Sequence, residues 1–164
     1  VKPTFIIIHH SATTDGVVND WEAIRRYHMS WRHQGRIITE QEARQRIAAG
    51  IKGIEAPWSD IGYHYGIELR GDNYLWLTGR MPDRIGAHCK EQGMNDKSLG
   101  ICVVGNYDIV DVPAEAFHLL TVKTKELMEQ YAISVANVKP HREFAPYKTC
   151  PGMRFPWSGF IFYL

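Results

Sequence analysis

What this chain has little of narrows its class before any motif is read. Charge of one sign is not in excess: 19 basic against 18 acidic residues leave a formal net charge of +1. That balance gives no sign of a nucleic-acid-binding surface or an acidic tail. No apolar run approaches the roughly 20 residues a bilayer-spanning helix needs. Cysteine is scarce and odd in number, with Cys89, Cys102 and Cys150 at irregular spacing, which excludes a disulfide framework. Nothing near the start reads as a secretory leader, so synthesis in the cytoplasm is expected. Internal repeats, low-complexity tracts and linkers are also missing. What remains is 164 residues, enough for one domain over 1–164 with its own core and no need of staples. A monomer is the default expectation.

The periodicity alternates between helix and strand. Thr4 to His10 is apolar on both faces until its histidines, as in a central strand covered on both sides. Asn19 or Asp20 is a helix cap, followed by Trp21, Ile24, His28 and Trp31 on one face. Thr39 and Glu42 have the spacing of a capping box, and Gly50 that of a helix stop, predicting a helix over 40–49. Gly62 to Leu69, a Gly71-Asp72-Asn73 turn, and Tyr74 to Thr78 form a hairpin. Residues 81–97 are a long polar loop. Leu99 to Gly105 is a buried strand. Pro113 opens a helix whose stripe is Phe117, Leu120, Thr124, Leu127 and Tyr131. A short strand spans 135–141, and the aromatic tail over 155–164 packs as a helix or an extended arm. The expected class is mixed α/β: a central mixed β-sheet flanked by α-helices.

Two distant segments carry the chemistry. Phe5-Ile6-Ile7-Ile8 runs into His9-His10, and His141-Arg142-Glu143 leads to Cys150-Pro151-Gly152. Two imidazoles and a thiolate can hold Zn²⁺ and leave its fourth position open for water. Strand alternation sends His9 and His10 to opposite faces, and periodicity does not choose between them. Cys102 lies in an apolar run and reads as a buried small hydrophobe; Cys89, next to His88, reads as filler, with a ligand as the alternative.

Further motifs fall in order along the chain: Ile8-His9-His10-Ser11-Ala12-Thr13, Gly62-Tyr63-His64-Tyr65, Gly86-Ala87-His88, Ser98-Leu99-Gly100-Ile101, Val103-Val104-Gly105-Asn106, His141-Arg142-Glu143 and Lys148-Thr149-Cys150-Pro151-Gly152. Together they resemble the zinc-dependent N-acetylmuramoyl-L-alanine amidases of the type-2 amidase and peptidoglycan-recognition family, phage endolysins included. The likeness runs from about Thr4 to Trp157. It implies a Zn²⁺ cofactor held by His9, His141 and Cys150, and cleavage of the amide between N-acetylmuramic acid and L-alanine in peptidoglycan. Muropeptides are the implied partner, met at the cell wall after release by another agent. The resemblance assigns Tyr63 to orienting the attacking water and Lys148 to charge on the tetrahedral intermediate. It puts His88 and Asn95 in the substrate groove and His10 on the second face or just behind the ligands, while strand alternation turns His64 to the other face. Arg80 and Arg84 are candidates for stem-peptide carboxylates. The alternative within the same family is a module that binds peptidoglycan without cutting it. Cys150 separates the two, because non-catalytic relatives typically lack that thiolate.

Two stretches depart from the family pattern. The segment 32–60 is longer than in many relatives and is expected to add a helix beside the groove. Tyr147 lengthens the loop between His141 and Cys150 by one residue.

Overall fold

The computed structural model describes residues 2–15 and 20–164; Asn19, one of the two expected caps, lies outside them. The first strand, β1 (Phe5–His10), leads to α1 (Trp21–His28). Asp20 caps α1 by accepting from the Ala23 amide at 2.7 Å. The helix ends at His28, so Trp31 falls beyond it. Next come β2 (Arg32–His33), β3 (Arg36–Ile37), α2 (Glu40–Ala48) and β4 (Ile54–Glu55). The capping box of α2 is complete: the Thr39 hydroxyl accepts from the Glu42 amide and the Glu42 carboxylate from the Thr39 amide, both at 3.1 Å. The hairpin is β5 (Tyr65–Arg70) and β6 (Asn73–Thr78). The long loop contains a 3₁₀ turn over Glu91–Gly93 and the short α3 (Met94–Lys97) before β7 (Ser98–Val103). The last elements are α4 (Ala114–Tyr131), β8 (Val138–Pro140) and α5 (Trp157–Phe162). The expected strand over 135–141 is thus trimmed by a 3₁₀ turn at each end, and the tail resolves as a helix. Among the described residues no helix is long and apolar enough to cross a membrane.

One sheet has the order β6-β5-β7-β1-β8, with β1 parallel to both β7 and β8 and only the hairpin antiparallel. A second, small sheet joins β3, β2 and β4 within the long segment 32–60. This segment was expected to bring a helix; it brings α2 and also this sheet.

Alternation along the strands sorts the two faces. Ile6 and Ile8 of β1, with Leu99, Ile101 and Val103 of β7, pack under α4 and α5 against Leu120, Leu127, Phe155 and Phe160. The opposite face carries Ile7, His9, Gly100, Cys102 and Gly66. There Trp21 of α1 lies directly on Gly66, where a Cβ would collide with the indole. Buried Glu68 fixes the same helix by accepting from the Trp21 amide at 2.7 Å and from Arg70 Nε at 2.7 Å. Small residues on this face make room for large side chains, and the site lies among them.

Candidate metal centre and groove

The parallel strands end at one edge of the sheet, the usual place for a site in an α/β fold. Ile8 pairs with Pro140, so the next residue along each strand is a histidine. The His9 and His141 rings lie 4.4 Å apart. Cys150 arrives on a loop that is tied down from two sides. Arg142 donates its amide to the Cys150 carbonyl at 2.9 Å, and its Nη1 to the carbonyls of Thr149 and Gly152 at 3.1 and 3.0 Å. Asp108 accepts from the Thr149 hydroxyl at 2.8 Å and the Met153 amide at 2.9 Å.

These ties bring the donor atoms of His9, His141 and Cys150 within 4.8 Å of one another. His9 Nδ1 lies 3.6 Å from Cys150 Sγ. Two ligands at zinc–nitrogen and zinc–sulfur distances of about 2.0 and 2.3 Å, held tetrahedrally, stand about 3.5 Å apart. The donor set and its spacing therefore fit a zinc-sized cation. Of the adjacent histidines, His9 faces this cluster. His10 takes the other side, with Nδ1 accepting from the Tyr107 amide at 3.2 Å and Nε2 lying 3.9 Å from Asp108. Its backbone N–H still reaches Cys150 Sγ at 3.4 Å.

A cavity of about 470 Å³ opens over the cluster, walled by His28, Trp58, Tyr63, Lys148 and the ligand candidates. The Tyr63 ring packs 5.2 Å from the His9 ring. Lys148 is exposed at the mouth, its Nζ 5.8 Å above the Tyr147 ring. His88 and Asn95, expected in the groove, are engaged inside the protein. Nδ1 of His88 bonds Nε2 of His9 at 3.0 Å. Oδ1 of Asn95 accepts from the amides of His88 and Cys89, both at 2.8 Å. His88 also lines the cavity over the cluster, and both residues border a neighbouring cavity of about 540 Å³. Arg80 turns inward to the carbonyls of Ile61 and Ile85, both at 2.7 Å. His64 is fully occupied, accepting from the Gly100 amide and donating to the Arg84 carbonyl, both at 3.0 Å.

Burial sets the protonation of the cluster. It lowers the pKa of His9 well below the ordinary value, reinforced by His88, His141, Lys148 and His10. Burial, then Lys148, lowers His141 to about 4, against a smaller upward pull from Glu91. Burial raises the Cys150 thiol to about 12, opposed by the His10 amide, Lys148 and Arg142. Both imidazoles are thus neutral and ready to ligate, whereas the thiol must give up its proton to a cation. A consequence follows for the metal-free protein. The unfolded chain takes up a proton on His141 near pH 6.5 while the folded chain resists until about pH 4. The unfolded state therefore binds more protons in that window, and stability falls as pH drops through it. His141 alone accounts for about 3 kcal/mol of loss, with His9 acting in the same direction. Denaturant titrations of chelator-treated protein from pH 7.5 to 4 check this; a flat profile contradicts it.

Several groove residues were not singled out from the sequence. Trp58 stands over His28 with ring centroids 4.6 Å apart, and buried Arg32 lies 4.7 Å from the Trp58 ring. Arg32 Nη2 also bonds Glu55 at 3.1 Å, so the segment 32–60 forms part of the groove wall. The only sequence signal was His28 on the Trp21 stripe. Asp108 and Glu91 gave none.

Comparison with known proteins adds to this geometry. A family model described as N-acetylmuramoyl-L-alanine amidase matches residues 1–153. The endolysin of Klebsiella phage KP32 is 35% identical over 102 residues, covering 59% of this chain and 62% of the phage protein. The endolysin of Escherichia phage T7 is 33% identical over 103 residues, with the same coverage of 59% and 62%. The match thus spans less than two thirds of these relatives. Among solved structures, the N-acetylmuramoyl-L-alanine amidase LysC from Clostridium intestinale superposes with a TM-score of 0.65 at 24% identity, over 97% of this chain and 83% of that one. Drosophila PGRP-LB gives 0.61 at 25% identity, over 94% and 78%.

Proposed function

The chain belongs to the type-2 N-acetylmuramoyl-L-alanine amidase family, and from that premise we propose that it hydrolyses the amide between N-acetylmuramic acid and L-alanine in peptidoglycan, using zinc held by His9, His141 and Cys150. The single observation that carries this reading is the meeting of two neutral imidazoles and a thiol, 3.6 Å from His9 Nδ1 to Cys150 Sγ, at the floor of an open groove. The third ligand is what favours an enzyme over a recognition module of the same fold. Zinc in that position supplies Lewis acidity and brings the ionisation of water near neutral pH.

The chain's own residues do the rest. Offering Nδ1 leaves the His9 proton on Nε2, which donates to His88 Nδ1 and fixes the ring. Burial, with the Cys102 and Cys150 thiols nearby, raises the Tyr63 phenol well above its ordinary value. Tyr63 therefore stays protonated and acts as a donor that orients water or the scissile carbonyl, not as a base. Lys148 presents its ammonium at the groove mouth, where it meets the negative charge that develops on the carbonyl oxygen.

Tyr63→Phe should keep its zinc and lose activity roughly 10- to 100-fold, the equivalent of one hydrogen bond to charge at about 1.5–3 kcal/mol. Zinc content and turnover measured on the same preparation check it; unchanged turnover removes Tyr63 from the mechanism. The reaction itself is tested by muropeptide digestion with mass analysis, with and without a chelator. Free stem peptides beginning with L-alanine, abolished by chelation, are expected. Cuts in the sugar chain, or indifference to the chelator, overturn the proposal.

A further inference from the structure

Each candidate ligand histidine has a further polar neighbour outside the triad. For His9 it is His88. For His141 it is Glu91, whose Oε2 lies 4.0 Å from the His141 Nε2 that is otherwise buried without a hydrogen bond. Taking the zinc reading above as its basis, we propose that Glu91 is a positioning residue: its carboxylate holds the outer nitrogen of His141 so that the ring offers its other nitrogen to the ion shared with His9 and Cys150.

Glu91 is itself held in place. The Tyr147 hydroxyl donates to its Oε1, and the buried Cys89 thiol lies 3.8 Å from its Oε2. Tyr147 belongs to the loop between His141 and Cys150, so the loop that carries one ligand also carries the clamp for the carboxylate behind another. The chain around Glu91 is bent to suit: the next residue, Gln92, is held at a φ of +53°, a left-handed conformation uncommon outside glycine. A metal-ligating imidazole commonly gives its second N–H to a carboxylate, which fixes ring orientation and makes the ligand more basic; losing such a partner costs 10- to 100-fold in metal affinity. With an ion on the other nitrogen, the proton of His141 sits on Nε2 and meets Glu91 as its acceptor.

The competing reading of the same atoms is a second ion. Donors of Cys89, Glu91 and His141 also lie within 4.8 Å of one another. The two readings differ in stoichiometry and in what Tyr147 does.

The test uses the full chain as wild type, Glu91→Ala, Glu91→Gln and Tyr147→Phe. Zinc stoichiometry and Kd are measured by competition with a chromophoric chelator, alongside the Tm of each metal-free protein and the visible spectrum of each Co²⁺-substituted form. The wild type should bind one zinc. Glu91→Ala should bind it 10- to 100-fold more weakly, Glu91→Gln and Tyr147→Phe less severely, and all three should shift the Co²⁺ bands while leaving the metal-free Tm unchanged. Should Glu91→Ala fold poorly, Glu91→Gln decides, since it keeps an oxygen for Tyr147 and loses only charge. Unchanged affinity and spectrum in a wild type that binds one zinc overturn the role of Glu91 alone. Two zinc ions in the wild type and one in Glu91→Ala overturn it in favour of a second ion site. A wild type that binds no zinc overturns the zinc reading with it.

Discussion

Cys150→Ser is expected to strip the metal and reduce muropeptide hydrolysis on the order of 10³-fold or more, while the fold stays intact. Metal Lewis acidity is worth several kcal/mol of transition-state stabilisation, and each 1.36 kcal/mol is tenfold in rate. Serine keeps an acceptor for the His10 amide that Sγ now takes at 3.4 Å, but a hydroxyl does not replace the thiolate as a soft ligand. The loop does not rely on the sulfur for its shape, because Arg142 and Asp108 hold it through the carbonyls of Thr149, Cys150 and Gly152 and the amide of Met153. Elemental analysis, a melting curve and a digestion assay on one preparation check all three parts. A metal-depleted serine variant with wild-type turnover sinks the proposed chemistry.

Gly100→Ala has the next largest expected effect, although residue 100 touches no ligand. A Cβ there would stand 2.5 Å from Cγ of the His88 ring. That ring has little room to retreat: Gly86 also lies close against it, and Nδ1 is committed to His9. Overpacking of this kind costs about 1–3 kcal/mol of stability. Displacing His88 also frees the outer nitrogen of His9, for a further loss of about 10- to 100-fold in zinc affinity. Gly159→Ala is the control, since a Cβ there meets nothing within 4 Å inside α5; it should be neutral or slightly stabilising. Equal Tm and zinc affinity in the two variants would refute the packing argument.

Elements whose causes are local were legible in the sequence. β1 followed from its unbroken apolar run, α2 from the Thr39–Glu42 box, the hairpin from its Gly71-Asp72-Asn73 turn, and α4 from its stripe. The strands of β2, β3 and β4 were not, because two residues carry no periodicity; they exist because buried Arg32 ties them to α1 and Trp58. Motifs supplied the candidate residues, but not where their polar atoms point. His88 both bonds His9 and borders the groove, in the space Gly100 leaves on a neighbouring strand. The contact of Glu91 with Tyr147 joins positions 56 apart, beyond the reach of any local pattern. His9 and His10 show the boundary well: alternation separates them, and only the identity of the packed face says which one meets Cys150.

Synthesis order gives the placement of β1 a further meaning. This strand is made before both its neighbours yet sits between β7 and β8, and its histidine waits for a cysteine 141 positions later. At about 5–20 residues per second, a ribosome needs roughly 7 to 28 s to cover that distance. A product that stops short of Cys150 cannot bring the three side chains together.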